Sequence, residues 1–427
     1  MEQIVNTNQK IISPGKASEA GAERKFKFNP FLPEFHAHPY PTYQHLQLED
    51  PVHLSSIGAW VMTRYCDVVK ALRDPRLSSK QSQISSYFSY QQSNSPVVSL
   101  SSQLLFFRDP PDHTRLRKLV TKAFNVRVIE KMRPHIQQIV DELINKVKDT
   151  GAMDIIADLS RPLPVRVIAQ MLGIPIADSD QLQQWSDCLS YILDPIKSSN
   201  IRQQLNQSIL EFRDYLRNLV QQRRQNPEND LISALIQARD ERDILSEDEL
   251  LVTCILLFAT GEETTVNLIG NGMLTLLSHQ DQLEKLKQNP SLIQSAVEEI
   301  LRYESPVQIS GRTVLDNLEI GGKVIRKGSP VFLMLGAANR DSAQFCNPNQ
   351  FDITRCENNH LAFGDGIHYC LGAALARIQG QIAINTLIQR LPNIKLQVDQ
   401  PKWRENIFLR GLTTLPVTFS NYGTSQG

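Results

Sequence analysis

Little in this 427-residue sequence singles out a partner by charge. Lysine plus arginine equals aspartate plus glutamate, 45 each, so the formal net charge is zero. Nothing in that balance suggests the basic stripe of a nucleic-acid binder or a membrane-surface protein. The six cysteines (Cys66, Cys188, Cys254, Cys346, Cys356 and Cys370) include no C-x-x-C pair. Neither a zinc site nor a disulfide framework is indicated, and a reducing cytoplasm fits. No apolar run approaches the ~20 residues of a membrane-spanning helix. The longest, Leu250 to Ala259, reads as a buried helix, and the polar first 28 residues hold no signal or anchor pattern. A G-x-G-x-x-G dinucleotide fingerprint is missing, as are internal repeats and heptads.

A chain longer than the ~250–300 residues one core usually serves suggests two lobes or one large fold. Met1 to Phe28 reads as a disordered polar tail, residues 29–420 as one domain, and residues 421–427 as a flexible end. Asn29-Pro30-Phe31-Leu32-Pro33 and Pro39-Tyr40-Pro41 open the domain. Val52–Leu54 and Trp60–Met62 read as the strands of a hairpin around Gly58. Apolar periodicity predicts helices over Asp112–Phe124, Val128–Val147, Ile201–Arg224 and Glu247–Ser278, within a mostly helical stretch from Asp109 to about Gln389. Ser78–Ser102 reads as a Ser/Gln-rich loop with Tyr87, Phe88 and Tyr90. Leu318–Leu335, with Gly321-Gly322, reads as a hairpin, and Leu412–Phe419 as a final strand. The fold class expected is mainly α with a smaller β region.

The most informative stretch is Phe363-Gly364-Asp365-Gly366-Ile367-His368-Tyr369-Cys370-Leu371-Gly372, followed by Ala373-Ala374-Leu375-Ala376-Arg377. It places one thiol between glycines just before an Ala/Leu-rich helix. A thiolate is the metal-binding form, and a helix N-terminus stabilises it through backbone N–H groups and the aligned dipole. Gly366 allows the positive φ of a tight loop, and Gly372 lets backbone approach a flat cofactor closely. Phe363 would shield the sulfur from water. The bland alternative is a buried free cysteine beside a glycine turn, but nine positions are filled in order. The pattern F-G-x-G-x-H-x-C-x-G-x-x-L-A-R resembles the haem-ligand loop of the cytochrome P450 family in its soluble bacterial form.

Other segments strengthen the resemblance, which runs from about Asn29 to Phe419. Ala259-Thr260-Gly261-Glu262-Glu263-Thr264-Thr265 lies within the longest predicted helix, where Gly weakens a helix by ~1 kcal/mol. Such a local violation in a strong apolar helix is often functional. Gly opens space beside the helix, a Thr hydroxyl can donate to bound dioxygen, and a neighbouring carboxylate can relay protons. Gly261, Glu263 and Thr264 match the family's positions. Thr260 stands where the family usually has Ala or Gly, and its bulk is expected to narrow the groove or shift the substrate. Glu299-Ile300-Leu301-Arg302 puts acid and base on one helix face and resembles the family's E-x-x-R pair. Arg355 matches its third, structural member, and Ala338-Asn339-Arg340-Asp341 matches a scaffold segment. For the two haem propionates, the resemblance points to His113 and Arg117, at i and i+4, with Arg312 and His368.

The resemblance implies a haem fold with the cofactor, haem b (iron protoporphyrin IX), between distal and proximal helices. Cys370 would be the iron ligand, Glu263 and Thr264 the catalytic pair. Phe363, Gly366, Gly372, His368, Gly261, His113, Arg117 and Arg312 would surround the haem, and Glu299, Arg302 and Arg355 would be structural. The implied reaction inserts one atom of O2 into a lipophilic small molecule, a polyketide, macrolide or peptide metabolite, by hydroxylation or epoxidation. Electrons would come from a separate ferredoxin or flavodoxin, since the chain has no flavin or nicotinamide motif. It would act as a cytoplasmic monomer without a membrane anchor. Rival readings are a cysteine-nucleophile hydrolase, which leaves the glycine loop and E-x-x-R purposeless, and a haem sensor or peroxide-driven relative, which leaves Glu263-Thr264 unused. The family's substrate-facing segments map to Ser78–Phe106, Leu189–Asn200, Leu256–Thr264, Val307–Ser310 and Ile407–Leu409, with Gln308 and Thr260 as polar exceptions. Arg115, Lys118 and Lys122, on one face at i, i+3 and i+7, form a candidate docking patch for an acidic ferredoxin.

Overall fold

The computed structural model describes residues 28–80, 95–193, 198–240 and 243–420. The predicted tail therefore lies outside the described residues except for Phe28. That ring is fully buried and packs edge-on against Phe35 at 5.3 Å between centroids. Residues 421–427 also lie outside.

A single long helix, Glu247–Ser278, organises the rest. Its start is fixed by a capping box, in which the Ser246 side chain accepts from the Glu249 N–H while the Glu249 carboxylate accepts from the Ser246 N–H. Glu247, Asp248 and Glu249 also complement the positive end of the dipole. At 1.5 Å per residue its 32 residues span about 48 Å. It is apolar on nearly every side, which suits a helix enclosed on all faces. Pro162–Met171, Ser199–Gln225, Ile293–Tyr303 and Ala373–Arg390 pack around it. By length and composition alone it could cross a membrane, but most of its apolar window is buried inside the fold.

The predicted strands Val52–Leu54 and Trp60–Met62 form the expected antiparallel hairpin. They join a five-stranded sheet ordered Val52–Leu54, Trp60–Met62, Pro330–Met334, Ile309–Val314, Leu77–Ser78. Only the pair Trp60–Met62 with Pro330–Met334 is parallel. Four expectations change. Leu318–Leu335 is a hairpin only over Leu318–Ile320 and Lys323–Ile325; Pro330–Met334 leaves it for the large sheet. The helix expected over Val128–Val147 is broken into Val126–Glu130, capped by Asn125, and Arg133–Val147, with proline at its first turn. Proline has no N–H to continue the earlier helix. Pro96–Gln103 is helical within the expected loop, whose residues 81–94 lie outside the described residues. The C-terminal strand shortens to Pro416–Thr418, between Lys395–Leu396 and Ala152–Asp154.

Candidate active site

The long helix and the Cys370 loop face one another across a cavity of about 340 Å³. Thr260, Gly261, Thr264 and Thr265 line it from the helix, and Phe363, Gly364, His368, Cys370 and Gly372 from the loop. A side chain at Gly261 would meet nothing within 4 Å, so the glycine leaves the helix surface open there. The threonine hydroxyls are turned back onto their own helix. Thr264 Oγ1 donates to the Thr260 carbonyl at 3.1 Å, Thr265 Oγ1 to Gly261 at 2.9 Å and Thr260 Oγ1 to Leu256 at 2.7 Å.

The loop is pinned from several directions. The Cys370 N–H donates to the Phe363 carbonyl at 2.9 Å, and Arg117 Nη2 donates to the Tyr369 carbonyl at 2.8 Å. Gly364 and Gly366 have φ of 69° and 68°. At Gly366 a Cβ would lie 2.9 Å from the Leu72 carbonyl oxygen, so both the dihedral and the space demand glycine. Burial pushes the Cys370 thiol up, while the Gly372 N–H, Arg117 and Arg377 pull it part of the way back. A bound metal cation is the charge that would make this sulfur a thiolate.

Beside the loop lies a cluster of two arginines and two histidines; Asp109, the acid whose charge reaches Arg312 and His113, is itself taken up by Ser78 Oγ and the Ser79 N–H. Arg312, on strand Ile309–Val314, is buried and donates to Ser310 Oγ at 2.8 Å and the Gly311 carbonyl at 2.7 Å. Among the described residues neither it nor Arg117 pairs with a carboxylate. Burial pushes the Arg312 pKa down to about 10. His113, on helix Asp112–Ala123, packs against His368 at 4.2 Å between centroids with the rings tilted by 53°. Both ring nitrogens of His113 and Nδ1 of His368 are buried without a hydrogen-bond partner. Burial, then Arg312, His113 and Arg117, push the His368 pKa down to about 3. Buried donors and cations without anions are costly unless something negative binds among them. Two carboxylates suit this cluster, and the flanking glycine-edged cavity suits a flat macrocycle, so the residues fit a haem.

Other predicted residues fall as follows. Glu299, Arg302 and Arg355 meet in one buried cluster: Arg302 donates to Glu299 at 2.7 and 2.8 Å, and Arg355 Nε at 3.1 and 3.2 Å. Asn339 of the scaffold segment accepts from Arg302 through its carbonyl at 2.9 Å. Glu263 is buried but does not line the cavity; its carboxylate is ion-paired with Arg404. Of the substrate-facing segments, Leu105, Phe106, Leu256, Leu257, Val307 and Ser310 line the cavity. No described residue of Leu189–Asn200 or Ile407–Leu409 does. Gln308 also fails that expectation: it is buried away from the cavity, accepting from Tyr43 Oη and donating to the Ser305 carbonyl. Arg115 is engaged by Glu249 and Asp243, so the expected docking patch loses its first member.

Sequence reading passed over three side chains: Arg404, Glu298 and Glu262. Glu262 is buried and accepts from Ser186 Oγ at 2.5 Å, and burial pushes its pKa up to about 7. Only its position between Gly261 and Glu263 could have drawn notice.

Comparison with known proteins agrees with this geometry. The family model for cytochrome P450 matches residues 58–419. The polyketide biosynthesis cytochrome P450 PksS of Bacillus subtilis is 40% identical over 407 residues, covering 93% of this chain and 99% of that one. The structure of P450BioI in complex with an acyl carrier protein ligated to hexadec-9Z-enoic acid is 40% identical, with a TM-score of 0.84 and coverage of 91% and 99%. That of CalO2 is 33% identical, with a TM-score of 0.88 and coverage of 93% and 100%. The chain belongs to the cytochrome P450 family. It is a haem-dependent monooxygenase with the fold of that family, mainly helical with a smaller β region.

Proposed function

We propose that Cys370 is the iron ligand and that the cavity between its loop and the Thr260–Thr265 segment holds haem and a lipophilic substrate. The observation that carries this reading is the single cavity lined by Cys370 on one side and by Gly261 and Thr264 on the other. Arg117, Arg312, His113 and His368 hold the propionates, and Gly366 and Gly372 keep the loop tight and close. Bound haem supplies the activation of dioxygen and the insertion of one oxygen atom. The chain supplies water exclusion through Leu105, Phe106, Leu256, Leu257 and Phe363, and proton control through the long helix. Thr264 Oγ1 swings from the Thr260 carbonyl to present its hydrogen to the cavity. Glu263, its neighbour in the chain, would relay a replacement proton only after leaving its ion pair with Arg404 and taking that proton from solvent.

The substrate class we favour is a polyketide, macrolide or peptide metabolite, hydroxylated or epoxidised. The apolar lining and the likeness to PksS support it. Electrons come from a ferredoxin or flavodoxin with its own reductase, and the enzyme works as a monomer in the cytoplasm. The test is a titration of the haem-loaded chain with macrolactones, free fatty acids and acyl chains on a carrier protein, followed by turnover with O2 and a reduced ferredoxin supplied. The readings are the spin-state shift and product mass. Macrolactones should give the shift and a product heavier by one oxygen atom. Turnover only of carrier-bound acyl chains would move the substrate class to that of P450BioI's captured partner, and no oxygenated product from any of them would overturn the proposal.

A further inference from the structure

Helix Ile293–Tyr303 carries two consecutive glutamates that turn to different partners. Glu299 faces the buried arginine cluster described above. Glu298 faces the Cys370 loop: its carboxylate accepts from Arg377 Nε at 2.7 Å and Nη2 at 2.9 Å, and from His360 Nε2 at 3.1 Å. The imidazole's proton is placed by its other nitrogen, because the Ala362 N–H donates to His360 Nδ1 at 3.2 Å. Nδ1 is therefore the acceptor and Nε2 the donor. Burial opposes the Glu298 charge, but the hydrogen bonds from His360 and Arg377 hold its carboxyl down to about 2.

Arg377 belongs to helix Ala373–Arg390, which begins just after Cys370. Its guanidinium lies over the Phe363 ring, 4.4 Å from the centroid, and Nη1 donates to Tyr369 Oη at 3.2 Å. Phe363 in turn provides the carbonyl that accepts the Cys370 N–H. One carboxylate thus anchors a brace that grips the ligand loop at Phe363 and again at Tyr369. The same carboxylate neutralises a cation seated against Phe363 and Tyr369, the ring that flanks the sulfur loop and the residue next to Cys370.

We propose that Glu298 is a positioning residue that sets the charge felt by the iron–thiolate pair, by pinning Arg377 to the loop and cancelling much of its field. This rests on Cys370 as the iron ligand. Reduction of the iron adds negative charge at the site, so a nearby cation favours it and a nearby anion opposes it. Glu298→Gln removes the anion at constant shape and should raise the reduction potential. Arg377→Gln removes the cation and should lower it. For charges half-buried in this way the reduction equilibrium should move roughly threefold to thirtyfold, or about 30–90 mV at 59 mV per tenfold.

The experiment is a redox titration of the haem-loaded full chain for wild type, Glu298→Gln, Glu298→Asp and Arg377→Gln. The reduced carbon-monoxide spectrum and the urea midpoint are recorded for each. Opposite shifts in the two glutamine variants, with Glu298→Asp near wild type, support the proposal. A brace that is merely structural would lower the urea midpoint of both glutamine variants and move their potentials in the same direction or not at all. That result, or failure of both to load haem, would overturn it. A wild-type spectrum without the thiolate signature would remove the Cys370 assignment instead, so the two failures are told apart.

Discussion

Arg302→Ala probes what holds the ligand loop's foundation together. Arg302 and Glu299 are both fully buried. Besides its paired bonds to Glu299, Arg302 donates to the carbonyls of Asn339 at 2.9 Å, Pro348 at 2.8 Å and Gln350 at 3.2 Å. Breaking a buried ion pair by removing one partner costs about 3–5 kcal/mol. Here Arg355, the Asp352 N–H at 3.0 Å and Asn358 Nδ2 at 3.1 Å still reach Glu299, which places the charge term at the low end. Orphaning the Asn339 and Pro348 carbonyls adds about 1–3 kcal/mol each, whereas Gln350 keeps a bond from Arg355. The total, about 5 kcal/mol or more, rivals a typical domain's whole stability. Arg302→Lys keeps the charge but loses the planar fork, and should cost about half as much. Urea unfolding followed by far-ultraviolet dichroism measures both. An Arg302→Ala chain within about 1 kcal/mol of wild type would refute this reasoning.

Three further outcomes follow from other positions. Glu262 has a folded pKa raised from 4.5 to about 7, so its protonated form is the one the fold favours. Its contribution is complete below about pH 4.5 and is lost as pH rises through 7. Glu262→Gln should therefore abolish that slope and be more stable at pH 8, by about 3 kcal/mol at most; parallel stability–pH curves would contradict it. Gly366→Ala meets both the positive φ and the Leu72 carbonyl, while at Gly364 the nearest atom to an added Cβ is 4.0 Å away. Gly366→Ala should cost about 2–3 kcal/mol and Gly364→Ala about 1, and the reverse order in urea midpoints would show the loop is not so constrained. Thr264→Ala should keep haem and substrate binding but release peroxide in place of much of the product; unchanged product per reducing equivalent would take Thr264 out of proton delivery.

What the sequence made legible was whatever rests on neighbours along the chain. The long helix matches its predicted span because its cap, Ser246 with Glu249, lies within four positions. The Val52–Met62 hairpin is equally local. The break near Met132 had a visible cause in Pro134, yet the apolar period on both sides masked it. The fate of Pro330–Met334 was decided by a strand some 270 residues earlier, which no local pattern reports. The same limit applies at the site. Cys370 stood out because its loop is contiguous, and Glu299 with Arg302 because they are one turn apart. The partner of Glu263 lies 141 residues away in Arg404, and that of Glu298 lies 79 away in Arg377. Gln308 lies in a segment that the resemblance marks as substrate-facing, but its side chain is held by Tyr43 Oη and the Ser305 carbonyl, partners far along the chain or off the segment that no local pattern reports.

The claim on which the rest depends is that Cys370 binds the iron as a thiolate. The direct measurement is the reduced carbon-monoxide absorption spectrum of the haem-loaded chain, taken for wild type and for Cys370→Ser. A hydroxyl ionises far less readily than a thiol, so serine should lose the red-shifted Soret band of thiolate-ligated haem that wild type shows, while Cys254→Ala and the other four cysteine variants keep it. A Cys370→Ser protein that retained that band would contradict the account.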